Sequence, residues 1–271
     1  MTDPRRDPAT AAALARLYDL DLSEDPGDLE LYLALATRTG GPILEIAAGS
    51  GRVAVPLAVA GFEVTAVDID AAMLARAAEA AAAAGSETSA RYAPVEADLI
   101  DLKLPAGATF HLAILALNSI LLLDSRDTQQ AAIETMARHL EPGGLAVVDV
   151  WLPSADELAR YDGRLGLDYV RIDPVTGLVV AKTTAAEHEP ATGHVTLTAI
   201  YEESEQGGVP RRWIREDRLR LLNADDLRAM AEAAGLEVET VAGDYDLNPV
   251  GPYDERAILV ARRRGRHAPR P

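Results

Sequence analysis

The chain has 271 residues, 48% of them apolar, with 26 Lys and Arg against 43 Asp and Glu and a formal net charge of −17. That length allows one large domain, or a domain with a sizeable insertion. The acidity argues against nucleic acid, which needs Lys and Arg to neutralise phosphates. No apolar run is long enough to span a bilayer, and zero cysteines exclude disulfides, thiolate metal sites, cysteine nucleophiles and Cys-held iron–sulfur clusters.

The charged start, Met1 to Asp7, is followed by no apolar core, so a cytoplasmic protein without a secretory signal is expected. Residues 9–20 and 28–38 read as two helices, punctuated by Asp25-Pro26-Gly27. Apolar runs then alternate with helical stretches. Strands are expected at 43–47, 63–67, 90–95, 110–117 and 145–150, with helices at 52–60, 71–84 and 128–140. Nearly all-apolar strands alternating with helices predict a parallel sheet covered on both faces. After Trp151 the rhythm changes. Four strands between Gly166 and Leu222, separated by short turns, predict an antiparallel meander inserted into the core. Within it Val195, Leu197, Ala199 and Tyr201 alternate onto one face. That face needs a cover, as the wall of an acceptor pocket or as the interface of a homodimer. The core pattern resumes with a helix from Asn223 and strands at 236–241 and 257–261. The basic run Arg262-Arg263-Arg264-Gly265-Arg266 reads as a solvated extension.

The strongest chemical signal is Ile43-Leu44-Glu45-Ile46-Ala47-Ala48-Gly49-Ser50-Gly51-Arg52, a strand ending in a glycine loop that opens a helix. Glycines let backbone approach a ligand, and the helix start offers free N–H groups. Asp68, at the end of the next strand, suits two ribose hydroxyls. The loop also fits the dinucleotide fingerprint, so a nicotinamide-dependent oxidoreductase stands beside other nucleotide chemistries. Glu45 separates them: an acid inside a buried strand needs a reason, either to shape the loop or to face a cationic amino-acid group.

With these residues the region resembles the class I S-adenosylmethionine (SAM) dependent methyltransferases, whose first motif is an acid followed by a Gly-x-Gly-x-Gly loop. Glu45, Ala47, Gly49 and Gly51 hold those positions, Ala47 standing in place of the first glycine. Asp68 matches the family's ribose-binding acid, and Ala97-Asp98-Leu99 the motif that reads the adenine amino group. Ala116-Leu117-Asn118-Ser119 matches the loop beside the reacting methyl, and Leu140-Glu141-Pro142-Gly143-Gly144 the turn before the fifth strand. The resemblance implies a doubly wound, mostly parallel seven-stranded sheet. It also implies SAM as cofactor, S-adenosylhomocysteine as product, and a cofactor set completed by Ile69, Met73 and Leu117. A finer similarity is to the sugar N-methyltransferases of antibiotic pathways, which carry an antiparallel insertion. The stretch from Gly243-Asp244-Tyr245-Asp246 to Ala261 looks like their closing hairpin, and the helix with Leu17-Tyr18-Asp19 like their N-terminal lid.

The organisation expected is thus a helical lid (1–40), a SAM-binding core (41–152), a β insertion (153–222) and a C-terminal part of the core with the basic tail (223–271). The reaction expected is in-line methyl transfer to a nitrogen or oxygen of a small molecule, with no nucleic acid or membrane partner and no metal. A non-catalytic SAM-binding protein is the remaining alternative. Asn118, which can orient an acceptor hydrogen, and Tyr18, from the lid, are the catalytic candidates. The turn histidines His188 and His194 need no function if exposed, and Arg212, Arg215, Arg218 and Arg220 read as one solvated strand face.

Overall fold

A computed structural model describes residues 7–23 and 26–265; Arg266, the end of the basic run, lies outside them. In chain order the helices are α1 (Pro8–Asp21), α2 (Leu29–Thr39), α3 (Ala54–Val59), α4 (Ala71–Ala83), α5 (Ser86–Arg91), α6 (Arg126–His139), α7 (Ala155–Leu158) and α8 (Ala224–Ala233). The strands are β1 (Ile43–Ile46), β2 (Val64–Asp68), β3 (Tyr92–Glu96), β4 (Phe110–Leu115), β5 (Leu140–Trp151), β6 (Gly166–Ile172), β7 (Val179–Glu189), β8 (His194–Ser204), β9 (Arg211–Arg220), β10 (Leu236–Ala242) and β11 (Arg256–Arg263). Helix starts follow side chains that satisfy free backbone N–H groups: Asp7 before α1, Asp70 before α4, Ser125 before α6 and Asn223 before α8. The last two are reciprocal capping boxes with Thr128 and Asp226.

Two compact units result: Asp25–Leu152 with Leu222–Pro271, and Met1–Glu24 with Pro153–Leu221. The N-terminal stretch 1–40 is therefore divided, α1 in one unit and α2 in the other.

The larger unit is a seven-stranded sheet of order β10-β11-β5-β4-β1-β2-β3. β1 pairs in parallel with both β2 and β4, and β11 runs antiparallel to β5 and β10. Along β4, Leu112 and Ile114 join a core cluster with Leu31, Tyr32 and Leu35 of α2. Ala113 and Leu115, on the opposite face by the two-residue period, are buried as well. Apolar side chains on both faces are what a sheet covered on both sides demands. The order reverses between β1 and its neighbours β2 and β4, which puts the ligand crevice of such sheets at the carboxyl end of β1.

The turn expected at Leu140–Gly144 is instead a bulge inside β5. Phe110 pairs with Leu140 and Leu112 already with Leu145, so the Pro-Gly-Gly segment is looped out without ending the strand. A side chain at Gly144 would sit 3.0 Å from the Phe110 carbonyl oxygen, a contact tight enough that this close approach of the two strands favours glycine. Helices α5 and α7 and a 3-10 turn at Ser119–Leu122 are short elements that the sequence pattern does not announce.

The smaller unit is α1 with a four-stranded antiparallel sheet of order β6-β7-β8-β9. Leu14, Leu17 and Leu20, one stripe of α1, pack with Val180, Tyr201 and Trp213 of the sheet, with Ala199 at the margin. Two of the four residues expected to need an outside cover, Ala199 and Tyr201, are thus covered by the chain's own first helix. Polar ties reinforce the seam. Asp21 accepts hydrogen bonds from Tyr169 Oη and Tyr201 Oη, each at 2.6 Å, and from Lys182 Nζ at 3.0 Å. Arg16 bridges Asp173 and Glu203. The four arginines of β9 do not share one solvated face. Arg212 and Arg218 are exposed, whereas Arg215 turns inward by the strand period and pairs with Asp217 at 2.6 Å. His194 is buried and His188 half-buried, contrary to the exposed turn positions expected.

Candidate active site

The loop after β1 is built from backbone geometry that only a few residues tolerate. Ala47, Gly49 and Gly51 all have positive φ, at 56°, 56° and 82°. At Gly51 a Cβ would lie 2.8 Å from Ala77 Cβ of α4 and 2.9 Å from Val55 Cγ2, so the loop can seat against α4 only with glycine there. Asp68, at the end of β2, holds the loop. Its Oδ2 accepts the Gly49 N–H at 2.8 Å and its Oδ1 the Asp70 N–H at 2.9 Å. The Ile69 N–H adds a third bond to this carboxylate, which leaves it part of its acceptor capacity. Burial pushes the Asp68 carboxyl above its ordinary range, against the pull of these N–H donors.

Glu45 is 3% exposed. Its carboxylate takes the Ala54 N–H at the start of α3, yet Oε2 has no hydrogen-bond partner. Burial pushes its carboxyl up to about 8; Arg52 opposes this, and Asp68 and Asp28 add to it. Arg52 is committed to Asp28, a fully buried acid just before α2, through two bonds of 2.6 and 2.7 Å. This two-point pair fixes the outer end of the loop.

The loop after β4 is equally constrained. Leu117 and Asn118 have φ of 43° and 64°, unusual for residues with a Cβ. Asn118 N–H donates to the Asp149 carbonyl oxygen at 3.0 Å, and Asn118 Oδ1 accepts the Trp151 N–H at 2.5 Å. The side chain thereby ties this loop to the end of β5. Asp149 itself is fully buried, bonded to Arg256 Nη1 at 2.6 Å and to Tyr245 Oη at 3.1 Å, with the Arg256 guanidinium 4.9 Å from the Tyr245 ring centre.

Among the other sequence candidates, Asp98 is exposed and accepts the Ile100 N–H at 3.0 Å, while the Ala97 N–H bonds the Asp68 carbonyl at 3.0 Å. Ile69, Leu99 and Leu117 are half-buried and Met73 is buried. Tyr18, on α1, has the Arg215 guanidinium 5.7 Å from its ring centre. The described residues contain no group of three or more His, Cys, Asp or Glu placed to hold a metal, and no helix long and apolar enough to cross a membrane. The Asp28–Arg52 pair and the Asp149–Arg256–Tyr245 trio belong to no sequence motif. Their one sequence signal is Asp149, an acid within the apolar run Val147-Val148-Asp149-Val150, the same oddity that marks Glu45 in β1.

Residues 43–144, from β1 into the bulge of β5, match the family described as a methyltransferase domain. The chain is 26% identical over 267 residues to the cypemycin N-terminal methyltransferase of a Streptomyces species, spanning 97% of this chain and all of that protein. Among solved structures it is similar to the CcbJ methyltransferase from Streptomyces caelestis, with a TM-score of 0.74, 26% identity, and 90% and 92% of the two chains covered. The sugar N-methyltransferase KedS8 from Streptoalloteichus superposes with a TM-score of 0.69 at 25% identity, covering 91% and 92%. A nicotinamide oxidoreductase is not what these likenesses favour. With that domain on this strand order, and with SAM as its cofactor, the protein is a SAM-dependent methyltransferase.

Proposed function

We propose that the enzyme transfers the methyl group of SAM to a nitrogen atom of a small molecule by in-line displacement. What carries this reading is that KedS8 is named as a sugar N-methyltransferase and the relative matching 97% of this chain as an N-terminal methyltransferase, a terminus that offers an amine. A screen with labelled SAM, pairing amines with the matching alcohols, tests it. Transfer to the alcohols alone would remove nitrogen from the reading.

The residues present fit the cofactor. Glu45 Oε2 is a buried acceptor without a donor, suited to the cofactor's ammonium group. Asp68 keeps acceptor capacity for a ribose hydroxyl, exposed Asp98 with Ala97 and Leu99 suits the adenine edge, and Ile69, Met73 and Leu117 supply apolar contact. When bound, SAM supplies a methyl group on a sulfonium that leaves as a neutral thioether. The task of the chain is to hold the acceptor lone pair in line, and alignment of this kind contributes on the order of 7–11 kcal/mol.

Asp68→Ala is expected to weaken SAM by about 1.5–3 kcal/mol, the range for a charged hydrogen-bond partner lost. Titration calorimetry reads this directly; unchanged affinity would take Asp68 out of the site. Asn118→Ala is expected to lower kcat by about 10²-fold with SAM affinity intact, because a small displacement of a positioning loop costs that much. Asn118→Gly adopts the left-handed backbone freely but lacks the amide. An equal loss in it assigns the effect to the amide, and full turnover assigns it to backbone strain. Tyr18→Phe at wild-type turnover would strike the tyrosine hydroxyl from the mechanism.

A further inference from the structure

Glu45 stands out among the buried groups of the larger unit. It lies inside the sheet, one of its oxygens is without a hydrogen-bond partner, and its surroundings are dominated by negative charge. The groups that face it are Asp28 before α2, Asp68 at the end of β2, Tyr92 on β3 and Arg52 in the glycine loop. The single cation among them, Arg52, is already paired bidentately with Asp28. A third carboxylate charge in this enclosure has, among the groups that face it, only a cation already shared with Asp28 to answer it, so the empty site favours the protonated acid.

We propose that cofactor binding displaces a proton from Glu45: the acid is neutral in the free enzyme and becomes the carboxylate that accepts an N–H from the cofactor's ammonium group. The inference rests on the reading that Glu45 faces the amino-acid end of SAM. The geometry selects the ammonium over the sulfonium. An orphaned oxygen is satisfied by a hydrogen-bond donor, and a sulfonium has no N–H or O–H to give. The bonds balance simply: the O–H of Glu45 breaks, its proton goes to solvent, and N–H···O replaces it. Because SAM and S-adenosylhomocysteine both carry the ammonium, both displace the proton. A fragment that keeps adenosine and the thioether but lacks the amino-acid end does not.

An opposite charge at contact distance lowers a carboxyl pKa by about 1–3 units. Starting from about 8, this corresponds to roughly half to one proton released per SAM at pH 7. As a consequence, SAM affinity falls with acidification below pH 8, by up to about tenfold per pH unit, since the bound state then holds fewer protons than the free one.

The test is calorimetric titration of the full chain at pH 7 in two buffers of different ionisation enthalpy, with SAM, S-adenosylhomocysteine and 5′-methylthioadenosine. The expected result is proton release with the first two, none with the third, and none with SAM in Glu45→Gln. SAM binding to the wild type without proton release overturns the proposal, as does equal release with methylthioadenosine. Proton release that persists undiminished in Glu45→Gln overturns it too. Failure of the underlying reading has a different signature: Glu45→Gln and Glu45→Ala would both bind SAM with wild-type affinity. Should the variants not fold, the three-ligand comparison in the wild type decides alone.

Discussion

Replacing Asp149 by alanine is expected to lower the unfolding free energy by about 3–5 kcal/mol, the cost of breaking a buried ion pair by removing one partner. Asp149 is fully buried, and the Arg256 side chain it holds is only 24% exposed. The truncation leaves that guanidinium and the Tyr245 hydroxyl without their shared acceptor, in a site that water reaches poorly. Asp149→Asn keeps the volume and an acceptor oxygen, so its loss should be smaller. Replacing Asp149 and Arg256 together by apolar residues should recover much of the deficit, because a desolvated pair is worth far less than either orphan costs. Urea unfolding measures all three, with unchanged slopes required for the comparison. A loss below about 1 kcal/mol in the alanine variant would show that the pair is screened and dispensable.

Gly51→Ala is the second large effect. The added methyl would overlap Ala77 and Val55, and overpacking of this kind costs about 1–3 kcal/mol. The left-handed backbone at φ 82° adds roughly 1–2 kcal/mol for any residue with a Cβ. The strain falls on the loop that the cofactor must use, so SAM affinity and stability should fall together. Ala77→Gly in the same chain removes the contact with Ala77 Cβ but leaves the one with Val55 and the backbone strain, and should restore part of both. Wild-type affinity in Gly51→Ala would mean that the loop sits away from α4 in solution. Ala47, already at φ 56°, shows that the loop tolerates one side chain in that backbone conformation.

The parallel core and its glycine loop are legible in the sequence because their signals are local: apolar runs of strand length, glycines at turns and an acid at a strand end. The same locality explains what was missed. Asp149 and Arg256 are 107 residues apart, and Asp28 and Arg52 are 24 apart, with no periodicity linking either pair. Pro142-Gly143-Gly144 carries the chemistry of a turn, yet the pairing of β4 with β5 on both sides of it turns the interruption into a bulge. The apolar face of the meander was visible, but its cover was not, because α1 lies more than 150 residues upstream of it. Glu45 was legible as an anomaly. That its Oε2 lacks a donor required the fold.

Pairing α1 with a sheet made so much later in the chain has a consequence for synthesis. Arg16 and its partner Asp173 are separated by 157 residues, and at about 5–20 residues per second a ribosome takes on the order of ten to thirty seconds to cover that distance. Throughout that interval Leu14, Leu17 and Leu20 have none of their sheet partners, and the core unit cannot close either, since β10 and β11 emerge last. The newborn chain therefore carries the apolar stripe of α1 uncovered for at least that interval. That makes the leucine stripe of α1 a surface for a ribosome-bound chaperone to shield until the sheet has been made.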